Sequence, residues 1–332
     1  MHTSSSQLAV GVFFAVVATL CWALNFIAPF VTGAYSLFDL LALRFIIAGL
    51  MGAVLVIAYW PYVRALSWAS RMMALALGNI GYLGYSACIA GGVTFGGPVL
   101  TPAFIGMVPL LLALLGNAQT KTLPWRRLRM PLALLGLGLL LVNASGGLPT
   151  SAALPSLRAG LAFSVAAVAL WLAFSLLNQA ALDKVAKNAT AAWTGLMMVG
   201  SALGTLLMLP LGLRLGLFEL PAVGFSFSRA GHLYGWALLI GVCCSVMGAW
   251  AWNKATHNLP MVLSGQLIAL ESLFATLLGL FFHGRLPSLP ETAGLLMVLT
   301  GATIAVHSIL VSQGKRETTG KGGNQAKRGT SD

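Results

Sequence analysis

"IGMVPLLLALLGNAQTKTLP", residues 105–124, lies over "IALESLFATLLGLFFHGRLP", residues 268–287, at an offset of 163. Isoleucine meets isoleucine, Leu114-Leu115-Gly116 meets Leu277-Leu278-Gly279, and Leu123-Pro124 meets Leu286-Pro287. The same offset pairs Gly78 with Gly241 and Gly138 with Gly301. At an offset of 149, "AVVATLCWAL" (15–24) lies over "SVAAVALWLA" (164–173), which pairs Trp22 with Trp171. Self-similarity at a fixed offset is the mark of a duplicated architecture.

The surroundings of these stretches decide what is duplicated. The 332-residue chain is 58% apolar and only 8% charged, with mean hydropathy +0.89. A soluble domain carries about 25% charged residues. So few charges cannot cover a soluble fold, and the chain reads as a polytopic membrane protein. Stretches of about 20 apolar residues suit a helical span. Ten fall at roughly 9–31, 36–58, 72–92, 97–118, 129–145, 158–180, 190–211, 231–253, 260–282 and 290–311. The fold class is therefore an all-α integral membrane protein of ten transmembrane helices, arranged as two five-helix repeats. An odd number of spans per copy forces the second to insert upside down. Inverted repeats are typical of secondary transporters, whose sites lie at the repeat interface near the midplane.

The domains predicted are an N-terminus (1–8), a first repeat (9–145), a periplasmic linker (146–157), a second repeat (158–311) and a basic tail (312–332). The tail, "SQGKRETTGKGGNQAKRGTSD", has the composition of a disordered segment. The net charge of +12 does not point to nucleic acid, because the basic residues sit in short loops and the tail, not on one solvated face. Fourteen Lys and Arg flank the spans on one side and four on the other, which predicts that both termini are cytoplasmic. The apolar run from Ala9 to Val31 lacks a basic leader and reads as a retained first span. Cys21, Cys88, Cys243 and Cys244 lie in apolar runs without metal-ligand spacing. No phosphate-binding loop, zinc-hydrolase motif or nucleophile elbow occurs, so neither an enzyme nor a cofactor or metal is expected.

Several polar and aromatic residues fall deep within spans. Trp22 and Asn25 are three apart, and so share a helix face. Asn79, Tyr82 and Ser86 follow the i, i+3, i+7 pattern of one face. Trp171 is the repeat counterpart of Trp22. Each can line a pathway or merely pack between helices. Pro29, Pro102 and Pro109 each leave a carbonyl without its usual donor, and so mark a gate or a static kink. Pro102 and Pro109 are seven apart, on one face of a continuous helix. Arg44 is read as snorkelling to the periplasmic surface, with carboxylate binding as a secondary role.

Glu271 lies roughly 16 Å from its span's start, near the centre of a ~30 Å core. An ionised acid there costs about 2.5–3.5 kcal/mol or more unless paired or wetted. Three readings stand: binding a substrate cation, carrying a proton, or a structural role, either protonated or paired with His307, Asn253 or another interior donor.

Ten spans in a 5+5 inverted arrangement, "ATLCWALNF" in the first span, Arg44-Phe45 in the second and Pro109 in a proline-rich fourth resemble the drug/metabolite transporter superfamily, EamA type. Within it the chain looks most like the YddG-like aromatic amino acid exporters of bacterial inner membranes. Many members carry Gly-Glu-Arg-Leu after the ninth span; here "HGRLP" places Gly284 where the glutamate would stand. The resemblance implies a monomeric exporter of amino acids, aromatic or large neutral, working by alternating access. Its partners would be the small-molecule substrate, the lipid bilayer and, for the proton reading of Glu271, protons. Alternatives are transport of another metabolite or drug, inward transport, and more remotely a membrane sensor or intramembrane enzyme.

Overall fold

The computed structural model describes residues 5–120, 124–144, 157–282, 284 and 286–328. Among these residues every regular element is helical. The first rod comprises α1 (Ser5–Ala23), a 3₁₀ turn at Leu24–Ile27 and α2 (Ala28–Val31). Then come α3 (Leu37–Ala58), the short α4 (Trp60–Ala65) and α5 (Trp68–Gly78). A π-helical stretch, Asn79–Gly84, joins α5 to α6 (Tyr85–Ile105). Next are α7 (Val108–Thr120), α8 (Trp125–Ala144), α9 (Leu157–Leu182), α10 (Thr190–Arg214) and the short α11 (Leu220–Val223). A second π-helical stretch, Gly241–Met247, joins α12 (Phe227–Ile240) to α13 (Gly248–Thr256). The chain continues with α14 (Met261–Leu267), α15 (Leu270–Phe282) and α16 (Leu289–Arg328).

Eight stretches among the described residues are long and apolar enough to cross a membrane. The sequence predicts ten. Of the other two expected runs, 97–118 is represented by the shorter apolar helix Val108–Ala118, and 129–145 lies in α8. The linker expected at 146–157 falls almost wholly outside the described residues. In the tail, α16 continues to Arg328, where the composition predicts disorder. Extending an existing helix needs no new nucleus.

Helix starts and stops follow from individual residues. Ser36 and Asp39 form a capping box at the start of α3, with Asp39 Oδ2 accepting from Ser36 N at 2.9 Å and Ser36 Oγ accepting from Asp39 N at 3.0 Å. Asp39 Oδ2 also accepts from Glu219 N at 3.0 Å, which ties α3 to the loop entering α11. Gly284, at φ 60°, turns the chain just after α15. A left-handed backbone suits glycine.

Helices approach closely where side chains vanish. A Cβ on Gly52 of α3 would stand 2.7 Å from the carbonyl oxygen of Gly195 in α10. One on Gly138 of α8 would stand 2.7 Å from the Gly294 carbonyl oxygen in α16. In α7, one on Gly116 would stand 2.9 Å from Val262 N in α14. Lipid provides no hydrophobic drive between helices, so such close packing holds the bundle together. The main pairings are α1 with α13, α3 with α10, α6 with α9, α7 with α14 and α8 with α16.

Candidate functional site

The first rod changes course just where polar residues concentrate. Pro29 has no N–H to give, and the backbone tightens into the 3₁₀ turn Leu24–Ile27 before it. This turn, α3, α6 and α15 surround a cavity of about 320 Å³. Its wall is largely apolar, with Phe26, Leu40, Leu41, Val93 and Ile105, and includes both Pro29 and Pro102. Asn25, Arg44, Tyr85, Ser86 and Glu271 supply the polar groups. A small adjoining pocket shares Asn25, Arg44, Tyr85, Ser86 and Glu271, and adds Trp22, Tyr82 and Trp171. An apolar hollow with a few convergent polar groups is the usual form of a small-molecule site.

Aromatic rings floor this pocket. Trp22 and Trp171 meet edge to face with centroids 5.2 Å apart, and Tyr85 lies 4.7 Å from Trp171. Trp22 Nε1 donates to the carbonyl oxygen of Cys244 at 3.0 Å. That carbonyl lies in the π-helical Gly241–Met247, where the wider turn disturbs the regular ladder and leaves acceptors for side chains. Among the described residues the Tyr82 hydroxyl and Trp171 Nε1 are buried with no protein partner. An unmade hydrogen bond costs about 1–3 kcal/mol, so such atoms mark places where water or ligand is useful.

Arg44 does not snorkel. Its residue is 7% exposed. Nε donates to Ser245 Oγ and Nη1 to Asn25 Oδ1, each at 2.7 Å. Two inward acceptors thus hold the guanidinium at the cavity wall. This corrects the surface reading: neutral acceptors inside the bundle replace the distant interface. Glu271 stands in the first turn of α15, which begins afresh after the break at Ile268 and Ala269. Acidic groups are favoured at that end of a helix. Among the described residues its carboxylate meets no hydrogen-bond donor and no cation. The structural partner Asn253 is engaged elsewhere, bonding to Asn178 and Thr194 at 2.9 Å each. His307 makes no such bond to Glu271 either.

Six sequence candidates therefore come together in the pocket: Trp22, Asn25, Tyr82, Ser86, Trp171 and Glu271. Asn79 does not join them. Its Nδ2 donates to the carbonyl oxygens of Leu75 and Gly200 at 3.0 Å each, and its side chain packs on Gly204 of α10. The shared-face argument assumes 3.6 residues per turn, and the π-helical Asn79–Gly84 departs from it. Pro109 is also absent from the cavity wall. The break at Gly106 and Met107 puts Pro102 in α6 and Pro109 in the first turn of α7, where a missing N–H costs little. Sequence reasoning set Arg44 aside; its signal was a second in-span charge beside Glu271. Tyr85 was visible only as a neighbour of Tyr82.

The fold and cavity define a helical membrane protein with a small-molecule hollow. Residues 158–306 match the EamA-like transporter family. Over 312 residues the chain is 28% identical to inner membrane protein YtfF of Escherichia coli (strain K12), covering 90% of this chain and 95% of that protein. A 104-residue stretch is 38% identical to an uncharacterized transporter of Haemophilus influenzae (strain ATCC 51907 / DSM 11121 / KW20 / Rd), covering 30% of this chain and 54% of the relative. A protein of known crystal structure shares the fold, with TM-score 0.67 and 19% identity over 89% of this chain and 96% of the other. These similarities point to a transporter rather than an enzyme.

Proposed function

We propose that this protein is a secondary transporter of the bacterial inner membrane that exports amino acids, aromatic or large neutral, by alternating access between two inverted five-helix repeats. The carrying observation is an asymmetry between corresponding halves. The break after Ile105 corresponds to the break after Leu267, and the π-helical Asn79–Gly84 to Gly241–Met247. The pairing of α1 with α13 corresponds to that of α9 with α6. Corresponding glycines nevertheless differ. Gly116 packs tightly on Met261 and Val262 of α14, whereas its counterpart Gly279 in α15 has open space where a Cβ would be. One side is closed by α7 on α14. On the other, the cavity separates Pro102 and Ile105 of α6 from Glu271 of α15. This asymmetry supports alternating access, with the observed arrangement as one access state and the exchanged arrangement as the second.

Inner-membrane location is supported by the likeness to YtfF, an inner membrane protein. The cytoplasmic placement of both termini follows from the distribution of Lys and Arg. Export of aromatic amino acids follows from the YddG-like resemblance and suits the ring-lined pocket. Overexpression should lower the intracellular level of toxic aromatic analogues such as fluorophenylalanine and protect cells from them. Unchanged accumulation and toxicity, with the protein shown in the membrane, would remove the export reading.

A further inference from the structure

Arg44 and Glu271 face the same cavity and the same small pocket, yet no ion pair joins them. Each has a reason to stay apart. Arg44 is held by Ser245 and Asn25 through Nε and Nη1 and lies 4.9 Å from the Phe45 ring centroid, and among the described residues no carboxylate pairs with it. Glu271 is fixed at the start of α15. An arginine without a carboxylate and a carboxyl group without a donor are both costly in a membrane interior. A ligand bearing both signs relieves both, and neither charge alone accounts for the other.

We propose that Arg44 and Glu271 form a split receptor for a zwitterion, with the guanidinium taking a carboxylate and Glu271 taking an ammonium group. This rests on the transport reading only for its consequence, since the recognition itself is a binding property. A guanidinium fork matches a planar carboxylate. Arg44 is the single cation in the cavity wall among the described residues, which suits a monoanionic carboxylate better than a phosphate. Trp22 and Tyr85 provide the surface for an apolar side chain. The ligand class is an α-amino acid with an apolar or aromatic side chain. Amines and carboxylic acids of the same size satisfy only one end.

The full-length protein in detergent or nanodiscs provides the test. Trp22 and Trp171 line the pocket, so intrinsic tryptophan fluorescence and ligand-induced thermal stabilisation both report binding. The probes are L-phenylalanine, 2-phenylethylamine, which lacks the carboxylate, and 3-phenylpropionate, which lacks the ammonium group. The wild type should prefer phenylalanine to either by about tenfold or more. Arg44→Gln should weaken phenylalanine and phenylpropionate by roughly 10- to 100-fold and leave phenylethylamine within about threefold. Glu271→Gln should weaken phenylalanine and phenylethylamine and spare phenylpropionate. Arg44→Lys keeps the charge and removes the fork. It carries the test if the glutamine variant does not fold, with phenylalanine weakened by about 3- to 10-fold and phenylethylamine unchanged.

The receptor is overturned if the wild type binds none of the three, or binds amine and amino acid equally, or if the folded arginine variant loses all three alike. Selective binding without flux in proteoliposomes would sink the transport reading and leave the receptor standing. Flux of phenylalanine without this selectivity would do the reverse.

Discussion

Replacing Gly116 by valine drives a branched side chain into the seam between α7 and α14. Its Cβ alone would lie 2.9 Å from Val262 N and 3.0 Å from Met261 Cβ. The nearest obstacles include backbone, which cannot swing aside as a side-chain tip can. Overpacking of this kind costs about 1–3 kcal/mol. That penalty falls on the arrangement with α7 closed on α14 and vanishes where the seam is open. If the protein works by the alternating access proposed above, the balance between access states moves roughly 5- to 150-fold away from the observed one. Gly279→Val is the internal control, because nothing lies near a Cβ there. It should penalise only the exchanged arrangement proposed above.

A single cysteine at Ile105, on the cavity wall, reads the population when the four native cysteines are replaced. Gly116→Val should slow its labelling by a membrane-impermeant maleimide several-fold. Gly279→Val should leave it unchanged or raise it. Equal labelling in the two variants would mean that the glycines do not report opposite states, and the asymmetry argument would fail.

Asn79→Ala should lower stability by about 1–2 kcal/mol through loss of the bond to the Gly200 carbonyl while leaving the KM for phenylalanine flux unchanged, as thermal unfolding and transport would show. Tyr82→Phe removes a hydroxyl that has no protein partner, so the melting temperature should hold; a KM raised by about threefold to tenfold would show that ligand uses the hydroxyl. His257, in the loop after α13, has its pKa pushed down to about 4, chiefly by burial and then by the nearby Lys187 and Lys254 charges. Unfolded histidine titrates near 6.5. The unfolded chain therefore binds more protons between these values, and stability should fall as pH drops from about 6.5 toward 4. Melting curves of His257→Gln should show a flatter pH dependence across that window.

Much of the site was legible because rings and amides in apolar runs are conspicuous. Trp22, Tyr82, Ser86 and Glu271 stand out against leucine and alanine, and the structure brings them together. Regular periodicity misplaced Asn79 and Pro109. A π-helical stretch rotates one away, and a break puts the other on a separate helix. Neither distortion changes composition, so a 3.6-residue pattern does not reveal it. Arg44 was misread for a different reason. Snorkelling weighs the distance to the surface, but acceptors on Asn25 and Ser245, distant in sequence, offered a nearer solution. The pairing of Glu271 with Asn253 failed likewise, because Asn178 and Thr194 already occupy that amide. The break shared by the fourth and ninth runs was foreshadowed only by their alignment, where Glu271 falls opposite Val108.

Counterflow in proteoliposomes tests the central claim most directly. Vesicles containing the purified protein and loaded with unlabelled L-phenylalanine should take up labelled phenylalanine transiently and saturably, with and without an imposed pH gradient. Glu271→Gln should weaken that exchange, and a loss of the gradient's effect in this variant would add proton carriage to its role. Absence of saturable counterflow for phenylalanine and a panel of other amino acids, from correctly folded wild-type protein, would contradict the account.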